Sequence, residues 1–329
     1  MTQAVTNENQ VFTFDTQQKI SDREFYDFLI GGDHYHHDLY FPPRYSYEQL
    51  NLAMYSASLH ESSLNFKAGI ITSIFKENEY LSVIDFNRFI TDYLIYGSAF
   101  LLRIPSKLGN TLALQHLMTY YMRVARKEGY YFVRPNEYDN PKYFEKKDIA
   151  LFASYDSIQN IYGRPSYLSA IRSTTLNREA TYFRIKYYKN GSHAGFILSI
   201  NGKIDQGLMK NIRENLQKTK GDGNFRNLVL NIPEGNDKSV QLIPISEVAA
   251  KDEFFNIKRI TDEDINTAHR VPPVLMGITP KNAGGFGDPG KHAAVFYQNE
   301  ILPLQRLLES FNRELGISAF QFNKYEIPA

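Results

Sequence analysis

The sequence predicts an α+β protein of one or two domains. Short strand-like runs alternate with helical patterns in the first half, and longer helical stretches dominate the second half. A chain of 329 residues can bury one large core or two modest ones. Hydrophobic residues make up 43% and charged residues 22%, which is ordinary globular composition and excludes a largely disordered chain.

The N-terminal region is predicted to contain little regular structure. Residues 1–20 are polar and lack an apolar signal segment, so we expect a disordered or loosely docked arm. Ser21 and Asp22 are candidate caps for a short helix over Glu24–Ile30. The glycines and prolines of Gly31–Pro43 predict a loop.

The rest of the first half predicts helices followed by strands. Apolar residues at helical spacing predict helices over Ser46–Phe75 and from Ser82 to Leu94. Beyond Gly97, runs rich in branched and aromatic residues predict short strands separated by polar turns. These runs are Ala99–Ile104, Tyr130–Val133 and Ile149–Phe152.

A long helix and a small compact unit open the second half. Pro165 suits the first turn of a helix that continues to Tyr187 and stops at Asn190-Gly191. The unit that follows is predicted to run strand, helix, strand, over Gly195–Ile200, Asp205–Lys220 and Leu228–Ile232.

A glycine-rich loop separates the last two predicted helices. The first of them runs from Ser246 to His269, and the loop covers Asn282–Gly290. In the final helix, apolar residues recur every three or four positions, and Pro303 is expected to kink the helix. The apolar stripe consists of Ile301, Leu304, Leu308, Phe311 and Leu315.

Composition excludes several classes of protein. The absence of cysteine excludes a disulfide scaffold and a thiolate metal site, and it fits a reducing compartment. No window approaches roughly 18 uninterrupted apolar residues, so no membrane-spanning segment is predicted. A net charge of +1 argues against a tight nucleic-acid clamp, which needs a strong basic excess.

Four short motifs stand in a fixed order along the chain. They are Tyr162–Ile171 (YGRPSYLSAI), Tyr187–Phe196 (YYKNGSHAGF), Arg270–Gly277 (RVPPVLMG), and Gly284–Asp288 (GGFGD) leading to Asn299–Pro303 (NEILP). The run Asp156–Gly163 (DSIQNIYG) agrees with them. In order and spacing the set resembles the portal family of tailed phages, specifically its PBSX-type subfamily. One motif alone has little specificity, whereas the ordered set is specific.

The resemblance implies a portal fold. Such a fold has an α+β wing, a two-helix stem, a small α/β clip, a glycine-rich tunnel loop and a long kinked spine helix. Little or no crown is expected, because only about 14 residues follow Leu315. The implied boundaries are an arm at 1–20, a wing at 21–163 and 271–315, stem helices at 164–190 and 246–270, a clip at 191–245, a tunnel loop at 279–290 and a C-terminal tail at 316–329.

The resemblance also implies a function and partners. Portal proteins form a ring, here expected to hold twelve copies, at one capsid vertex of the virion. Double-stranded DNA passes through the ring without sequence specificity during packaging and ejection. Large terminase, the major capsid protein and neck or head-completion proteins are the expected partners, with assembly in the host cytoplasm. No enzymatic activity, cofactor or metal is expected. A ring-forming virion adaptor or baseplate protein that never contacts DNA is the alternative.

The glycine-rich loop has more than one interpretation. The resemblance makes it the tunnel loop, which narrows the channel. Residues 285–292 also imitate a phosphate-binding loop, which would make the chain a nucleotide-binding enzyme. However, His292 stands where such a loop needs a hydroxyl for magnesium, and Pro289 lacks an N–H. An ordinary surface loop is a further alternative. The candidate channel residues are Lys281, Asn282, Gly284, Gly285, Phe286, Gly287, Asp288 and Lys291.

Two other polar features allow both a functional and a simpler interpretation. Asp33–Asp38 (DHYHHD) offers metal ligands, but no regular element sets their geometry, so a hydrated loop is favoured. In the clip, Lys210, Arg213, Lys218 and Lys220 make the predicted helix basic toward its C-terminal end. Complementarity to the helix dipole explains this charge, and contact with DNA or with terminase is the functional alternative.

Local charge differs sharply between the two implied stem helices. Residues 164–190 carry a net charge of +5, and residues 246–265 carry −3. We predict that these helices pair, within or between subunits, so that opposite charges meet. Two solvated helix faces are the alternative. The residues proposed for pairing are Arg172, Arg178 and Arg184 with Glu253, Asp262 and Glu263.

Overall fold

Helices and strands are mixed in the described part of the chain, as the sequence predicts for an α+β protein. The chain divides into a first unit, residues 21–175 and 261–329, and a second unit, residues 1–20 and 176–260. The computed structural model describes residues 11–12, 35–36, 38–40, 45–134, 141–189, 196–201, 207, 210, 228–232, 240–244, 248–278 and 288–326.

Three helices open the described part of the first unit: α1 (Tyr47–Met54), α2 (Ser58–Ile74) and α3 (Val83–Tyr96). Ser46 caps α1 in a reciprocal capping box with Gln49. The hydroxyl of Ser82 accepts a hydrogen bond from the first turn of α3, and Gly97 ends that helix at φ 71°. The structure confirms the predicted helices over 46–75 and from Ser82, with the first span divided into α1 and α2, and the caps define the start of α1 and both ends of α3.

Two small antiparallel sheets and a hairpin complete the first unit's β-structure. The strands are β2 (Tyr35–His36), β3 (Leu39–Tyr40), β4 (Ser98–Pro105), β5 (Thr111–Leu117), β6 (Met122–Val124), β7 (Tyr130–Phe132), β8 (Lys142–Phe144) and β9 (Ile149–Ala153). One sheet has the order β5–β4–β9 and the other β6–β7–β8, while β2 and β3 form the hairpin. The three predicted strands correspond to β4, β7 and β9, whereas the hairpin lies where a loop was expected.

Aromatic side chains dominate the core of this unit. Phe86 and Phe89 on α3 are fully buried, and the ring of Phe75 stacks on Phe86 at 4.0 Å. Phe100 on β4 belongs to a second cluster of buried residues, which α1 also lines. Burial of each such side chain contributes about 1.5–3 kcal/mol, so the abundant Phe and Tyr of the sequence stabilise the fold directly.

The final helical segment consists of three parts. These are α6 (Pro289–Phe296), a π-helical turn (Tyr297–Ile301) and α7 (Leu302–Leu315). The sequence predicted a kink at Pro303, and the irregularity observed is the wide turn just before it. Because proline lacks an N–H and crowds the preceding turn, a widened turn accommodates it. The predicted stripe is confirmed: Ile301, Leu308, Phe311 and Leu315 are buried, and Leu304 packs against the same core.

The segment after α7 is part of the core, although the sequence suggested a tail at 316–329. Ala319 and Phe320 are buried. The backbone N–H of Lys76 donates to the carbonyl of Gln321 at 2.8 Å, and that of Asn323 donates to Ile74 at 2.7 Å. The apolar residues of this segment therefore return to the end of α2. Residues 327–329 lie outside the described part.

The described strands of the second unit are β1 (Val11–Phe12), β10 (Phe196–Asn201), β11 (Leu228–Ile232) and β12 (Val240–Pro244). They form a four-stranded sheet of order β1–β11–β10–β12. β10 and β11 run parallel, and Gly207 and Lys210 between them are helical. The predicted strands at 195–200 and 228–232 are confirmed, whereas β1 falls within the expected arm and pairs antiparallel with β11. The helix predicted at 24–30 lies outside the described residues.

Two long helices, α4 (Ile171–Lys189) and α5 (Val248–His269), contain the divisions between the units. α5 matches the helix predicted over 246–269. α4 begins later than the sequence suggested, after a 3-10 turn at Leu168–Ala170. Pro165 therefore precedes the helix instead of lying in its first turn.

Candidate functional site

The start of α4 and the end of α5 pack side by side in the first unit. We call this region, residues 167–174 and 264–270, the α4–α5 junction. Ala170 and Ile265 are buried together with Ala57 and Leu59 near the start of α2. The hydroxyl of Ser173 donates to Asp264 at 2.7 Å. Two of the motifs that resemble the portal family, YGRPSYLSAI and RVPPVLMG, therefore meet here.

Close contact between two glycines leads the chain into this junction. A Cβ on Gly163 would lie 1.8 Å from the carbonyl oxygen of Gly97, and a Cβ on Gly97 would lie 2.4 Å from the carbonyl carbon of Arg164. The hydroxyl of Ser154 bonds both the N–H and the carbonyl of Arg164, at 2.9 and 2.6 Å. These contacts hold residues 163–165 outside a helix, which is why α4 starts late.

The DSIQNIYG run forms a hydrogen-bonded turn just before Gly163. One carboxylate oxygen of Asp156 accepts bonds from the Tyr45 hydroxyl and the Gln159 amide, both at 3.0 Å. The amide oxygen of Gln159 accepts from the N–H groups of Ile161 and Tyr162. Burial, together with the nearby Asp156 carboxylate, raises the pKa of Tyr45. These hydrogen bonds fix the conformation of the chain just before it enters the α4–α5 junction.

Two histidines and a tyrosine fill the interior of the junction. Nε2 of His269 lies 2.8 Å from Nδ1 of His60, and the ring of Tyr167 contacts both imidazoles. The Tyr167 hydroxyl donates to the carbonyl of Ile95 at 2.6 Å. Burial lowers the pKa of His60 to about 4 and that of His269 to about 3. Both imidazoles are therefore neutral at neutral pH, and one can donate to the other.

An ion cluster lies at the exit of α5. Lys67 on α2 approaches Oε2 of Glu300 at 2.9 Å, and Arg270 approaches Oε1 of the same carboxylate at 3.1 Å. The Lys67 and Glu300 side chains are only 8% and 12% exposed, whereas that of Arg270 is 64% exposed. Burial lowers the pKa of Lys67, and Glu300 opposes that shift. Pairing with Glu300 therefore offsets part of the cost of burying the Lys67 side chain.

The segment after this cluster is anchored at both ends. A 3-10 turn, Pro273–Met276, packs against α2 and α6. At the other end, Asp288 caps α6 by accepting from the N–H groups of Gly290 and Lys291. Because the turn and α6 are in contact, the two ends of residues 279–287 are held near each other. Those residues themselves lie outside the described part of the chain.

The tunnel-loop residues are only partly described. Residues 289–290 belong to the first turn of α6, so the loop predicted at 279–290 ends at Asp288. The Lys291 side chain is 85% exposed and approaches Asp288 at 3.6 Å. The cap also counts against a phosphate-binding loop, since Asp288 already occupies the N–H groups of Gly290 and Lys291. Outside the described residues lie Lys281, Asn282, Gly284, Gly285, Phe286 and Gly287.

The predicted stem residues lie on α4 and α5. Arg172 and Arg184 are exposed on α4, and Arg178 pairs with its neighbour Glu179 at 3.0 Å. Asp262 and Glu263 lie near the end of α5, while the side chain of Glu253 lies outside the description. Pairing between the helices through these charges stays a prediction. The hydroxyl of Ser173 on α4 donates to the carboxylate of Asp264 on α5, so one polar contact joins the two helices close to these charges.

Of the basic clip residues, Lys210 occupies an exposed helical position. Arg213, Lys218 and Lys220 lie outside the described residues. Their role at a channel mouth or a terminase contact stays a prediction.

The histidine-rich run of the N-terminal region has a structural contact. Tyr35 and His36 form β2, and the carboxylate of Asp38 accepts a bond from the Tyr131 hydroxyl at 3.1 Å. Within the described ranges, no group of three or more histidine, aspartate and glutamate side chains could hold a metal ion. Among those same residues, no helix is both long and apolar enough to cross a bilayer.

Sequence reasoning missed the histidine pair inside the junction and the buried ion pair beside it. Lys67 carried a signal, because it interrupts the buried face that Leu64, Ala68 and Ile71 form on α2. A lysine on an apolar face needs a partner when it is buried. That partner, Glu300, lies 233 residues away in the chain. No local sequence pattern could therefore identify it.

Comparison with known proteins shows which family this chain resembles in sequence. A family model described as "Phage portal protein" matches residues 74–327. The chain is 37% identical over 319 residues to a "Probable portal protein" of Escherichia phage P2, covering 97% of this chain and 92% of the relative. It is 34% identical over 291 residues to a "Probable portal protein" of Haemophilus phage HP1, covering 87% and 84%.

Solved structures share the fold at lower identity. A chain from the neck of the native gene transfer agent particle, computed with C12 symmetry, aligns with a TM-score of 0.60 at 16% identity, over 93% of this chain and 90% of that one. An HK97-family phage portal protein from Corynebacterium diphtheriae aligns with a TM-score of 0.57 at 11% identity, over 83% and 94%. By its family match and its relatives, the chain belongs to the phage portal protein family, whose role in the virion is structural.

Proposed function

We propose that this chain is the ring-forming subunit at one vertex of a tailed-phage capsid, through which double-stranded DNA is packaged and ejected. The match of residues 74–327 to the portal family carries the proposal. The ring acts as a passive conduit without a catalytic site, cofactor or metal. The ATP-driven work belongs to a separate terminase, and the ring assembles in the host cytoplasm.

Twelve copies are the expected ring size. The similar neck chain computed with C12 symmetry supports this number. A closed cyclic ring buries surface of each subunit against its neighbours. Aromatic residues are enriched at such contacts, and this chain exposes Tyr55 and Tyr155 at 77% and 86%.

The near-neutral charge suits passage of DNA. A ring multiplies every exposed charge by the number of subunits. One unpaired lysine per subunit would make a ring of cations, and each neutralised phosphate strengthens binding steeply at low salt. A conduit has to release DNA, so a net charge of +1 per subunit is compatible with the function.

Residues 279–288 are proposed to narrow the channel. Their two ends are held by the Pro273–Met276 turn and by the capped start of α6, which pack on each other. A segment anchored in this way can project from a rigid base. Lys281, Asn282, Phe286 and Lys291 are the residues that we place near the constriction.

The clip and stem are proposed to serve docking and assembly. The basic residues Lys210, Arg213, Lys218 and Lys220 would contact an acidic terminase or neck surface, or DNA at the channel mouth. Opposite charges on α4 and α5 would meet within or between subunits. The major capsid protein is the expected partner around the vertex.

Electron microscopy of the purified chain tests the central proposal. A closed ring whose lumen is wider than a B-form duplex is the expected result. A ring with a narrower lumen would favour a virion adaptor that never contacts DNA. A monomer under all assembly conditions would contradict the proposal.

Deletion of Gly284–Gly287 tests the constriction. We expect DNA packaging or DNA retention to fail in the deleted phage. A second variant replaces residues 284–287 by four alternating glycines and serines, which keeps the loop length and removes the Phe286 side chain. Comparison of the two variants shows whether loop length or Phe286 is required. Normal packaging and retention in the deleted phage would contradict the assignment. Binding of ATP by the wild-type chain at millimolar concentration would instead support the nucleotide-binding alternative.

A further inference from the structure

Glu300 lies where three separate elements of the first unit meet. Its carboxylate bonds Lys67 on α2 through one oxygen and Arg270, just after α5, through the other. Glu300 itself belongs to the π-helical turn between α6 and α7. One side chain therefore connects α2, the exit of α5 and the final helical segment.

The π-helical turn sets the direction of Glu300. In an α-helix each residue advances about 100° around the axis, so one additional residue in a turn changes the direction of the side chains beside it. The N–H of Leu302 bonds the carbonyl of Tyr297, which closes the wide turn around Glu300. Such turns occur frequently at functional positions.

Arg270 adopts an unusual backbone conformation. Its φ is 55°, the single positive value for a residue other than glycine among those that the structure describes. A Cβ makes this conformation unfavourable, so it persists where surrounding contacts impose it. It turns the chain out of α5 and into the Pro273–Met276 turn, next to buried Val271.

We propose that Glu300 is a positioning residue that holds the segment after α5, residues 270–278, against α2. Lys67 anchors the carboxylate in the interior, and the carboxylate then restrains Arg270. The proposal goes beyond the channel function and does not depend on it, because it concerns the conformation of the isolated chain.

A purely stabilising ion pair makes a different prediction. A buried pair contributes little net stability, since replacing both partners by apolar residues of similar volume is often neutral. Such a replacement would leave residues 270–278 unchanged if the pair served stability alone. If Glu300 positions Arg270, residues 270–278 become less ordered in such a variant even when the protein stays equally stable.

Hydrogen–deuterium exchange of the full-length chain distinguishes these cases. The informative amides are those of Arg270, Leu275, Gly277 and Ile278, which donate to Asn266, Pro272, Val274 and Pro273. In Glu300→Gln we expect exchange of these amides to rise at least tenfold. Glu309→Gln is the matched control, because Glu309 is exposed on α7 and accepts a bond from Gln305.

The double variant Lys67→Met/Glu300→Met separates positioning from folding. This variant removes both buried charges, so we expect its thermal midpoint to stay within a few degrees of that of the wild type. Amide exchange at residues 270–278 is expected to be at least tenfold faster than in the wild type. Unchanged exchange at 270–278 in both variants overturns the proposal. Exchange that rises equally in α2, α3 and residues 270–278 of the double variant also overturns it.

Discussion

Nε2 of His269, the last residue of α5, lies 2.8 Å from Nδ1 of His60 in the first turn of α2. This contact joins two elements that are 209 residues apart in the chain. Both rings are buried, and the neighbouring His60 and Lys67 side chains further disfavour a positive charge on His269. The interior of the α4–α5 junction therefore depends on two neutral imidazoles.

Stability is expected to fall in mild acid because of this pair. Burial lowers the pKa of His60 to about 4 and that of His269 to about 3, from 6.5 when unfolded. Below pH 6.5 the unfolded chain binds protons that the folded chain does not, so the free energy of unfolding decreases toward pH 4. Each histidine contributes a loss of about 2 kcal/mol between pH 7 and pH 5.

Urea denaturation at pH 7 and pH 5 measures this effect. The double variant His60→Gln/His269→Gln should lose less stability over that interval than the wild type, whatever its stability at pH 7. His292→Gln, at an exposed position of α6, is the control and should behave as the wild type. Equal pH dependence in the double variant and the wild type would contradict the expectation.

Gly163→Ala is expected to destabilise the fold by more than about 3 kcal/mol. A Cβ at this position would meet the Gly97 carbonyl oxygen at 1.8 Å, and backbone atoms cannot move aside as a flexible side chain can. Gly69→Ala is the matched control, since nothing lies within 4 Å of its added Cβ in α2. That change should stabilise the protein by about 0.5–1 kcal/mol. Similar thermal midpoints for the two variants would count against the close contact.

Arg103→Met is expected to cost about 1–3 kcal/mol. The guanidinium of Arg103 on β4 donates to the carbonyl oxygens of Leu315 and Glu314, at 2.8 and 3.2 Å, and so caps the end of α7. Arg306→Met, at an exposed position of α7, should change stability by less than about 0.5 kcal/mol. Equal unfolding free energies for both variants in urea would show that the cap contributes nothing.

Phe320→Ala is expected to cost about 3–5 kcal/mol. The ring is 1% exposed and packs against Phe86, Phe89 and Phe311. Ser318→Ala, two residues earlier and exposed, is the control and should be close to neutral. A neutral result for Phe320→Ala in chemical denaturation would restore the interpretation of this segment as a tail.

Local order was readable from the sequence wherever one short stretch carries its own signal. Ser82 and Gly97 mark the two ends of α3, and the spacing from Ile301 to Leu315 marks the buried face of α7. Capping and side-chain periodicity act over a few residues, so a single sequence contains them. The ordered motifs were equally readable, and the family that they resemble was confirmed.

Tertiary structure alone decided which distant residues meet. The late start of α4 depends on contacts with Gly97 and Ser154. The C-terminal segment joins the core through Phe320. Glu300 pairs with Lys67, which lies 233 residues away in the chain. No periodicity or cap encodes such pairs, because they form only after separate elements pack and exclude water. The neutral histidines and the paired lysine were determined by the environment that the fold creates, because burial penalises a charge that has no partner.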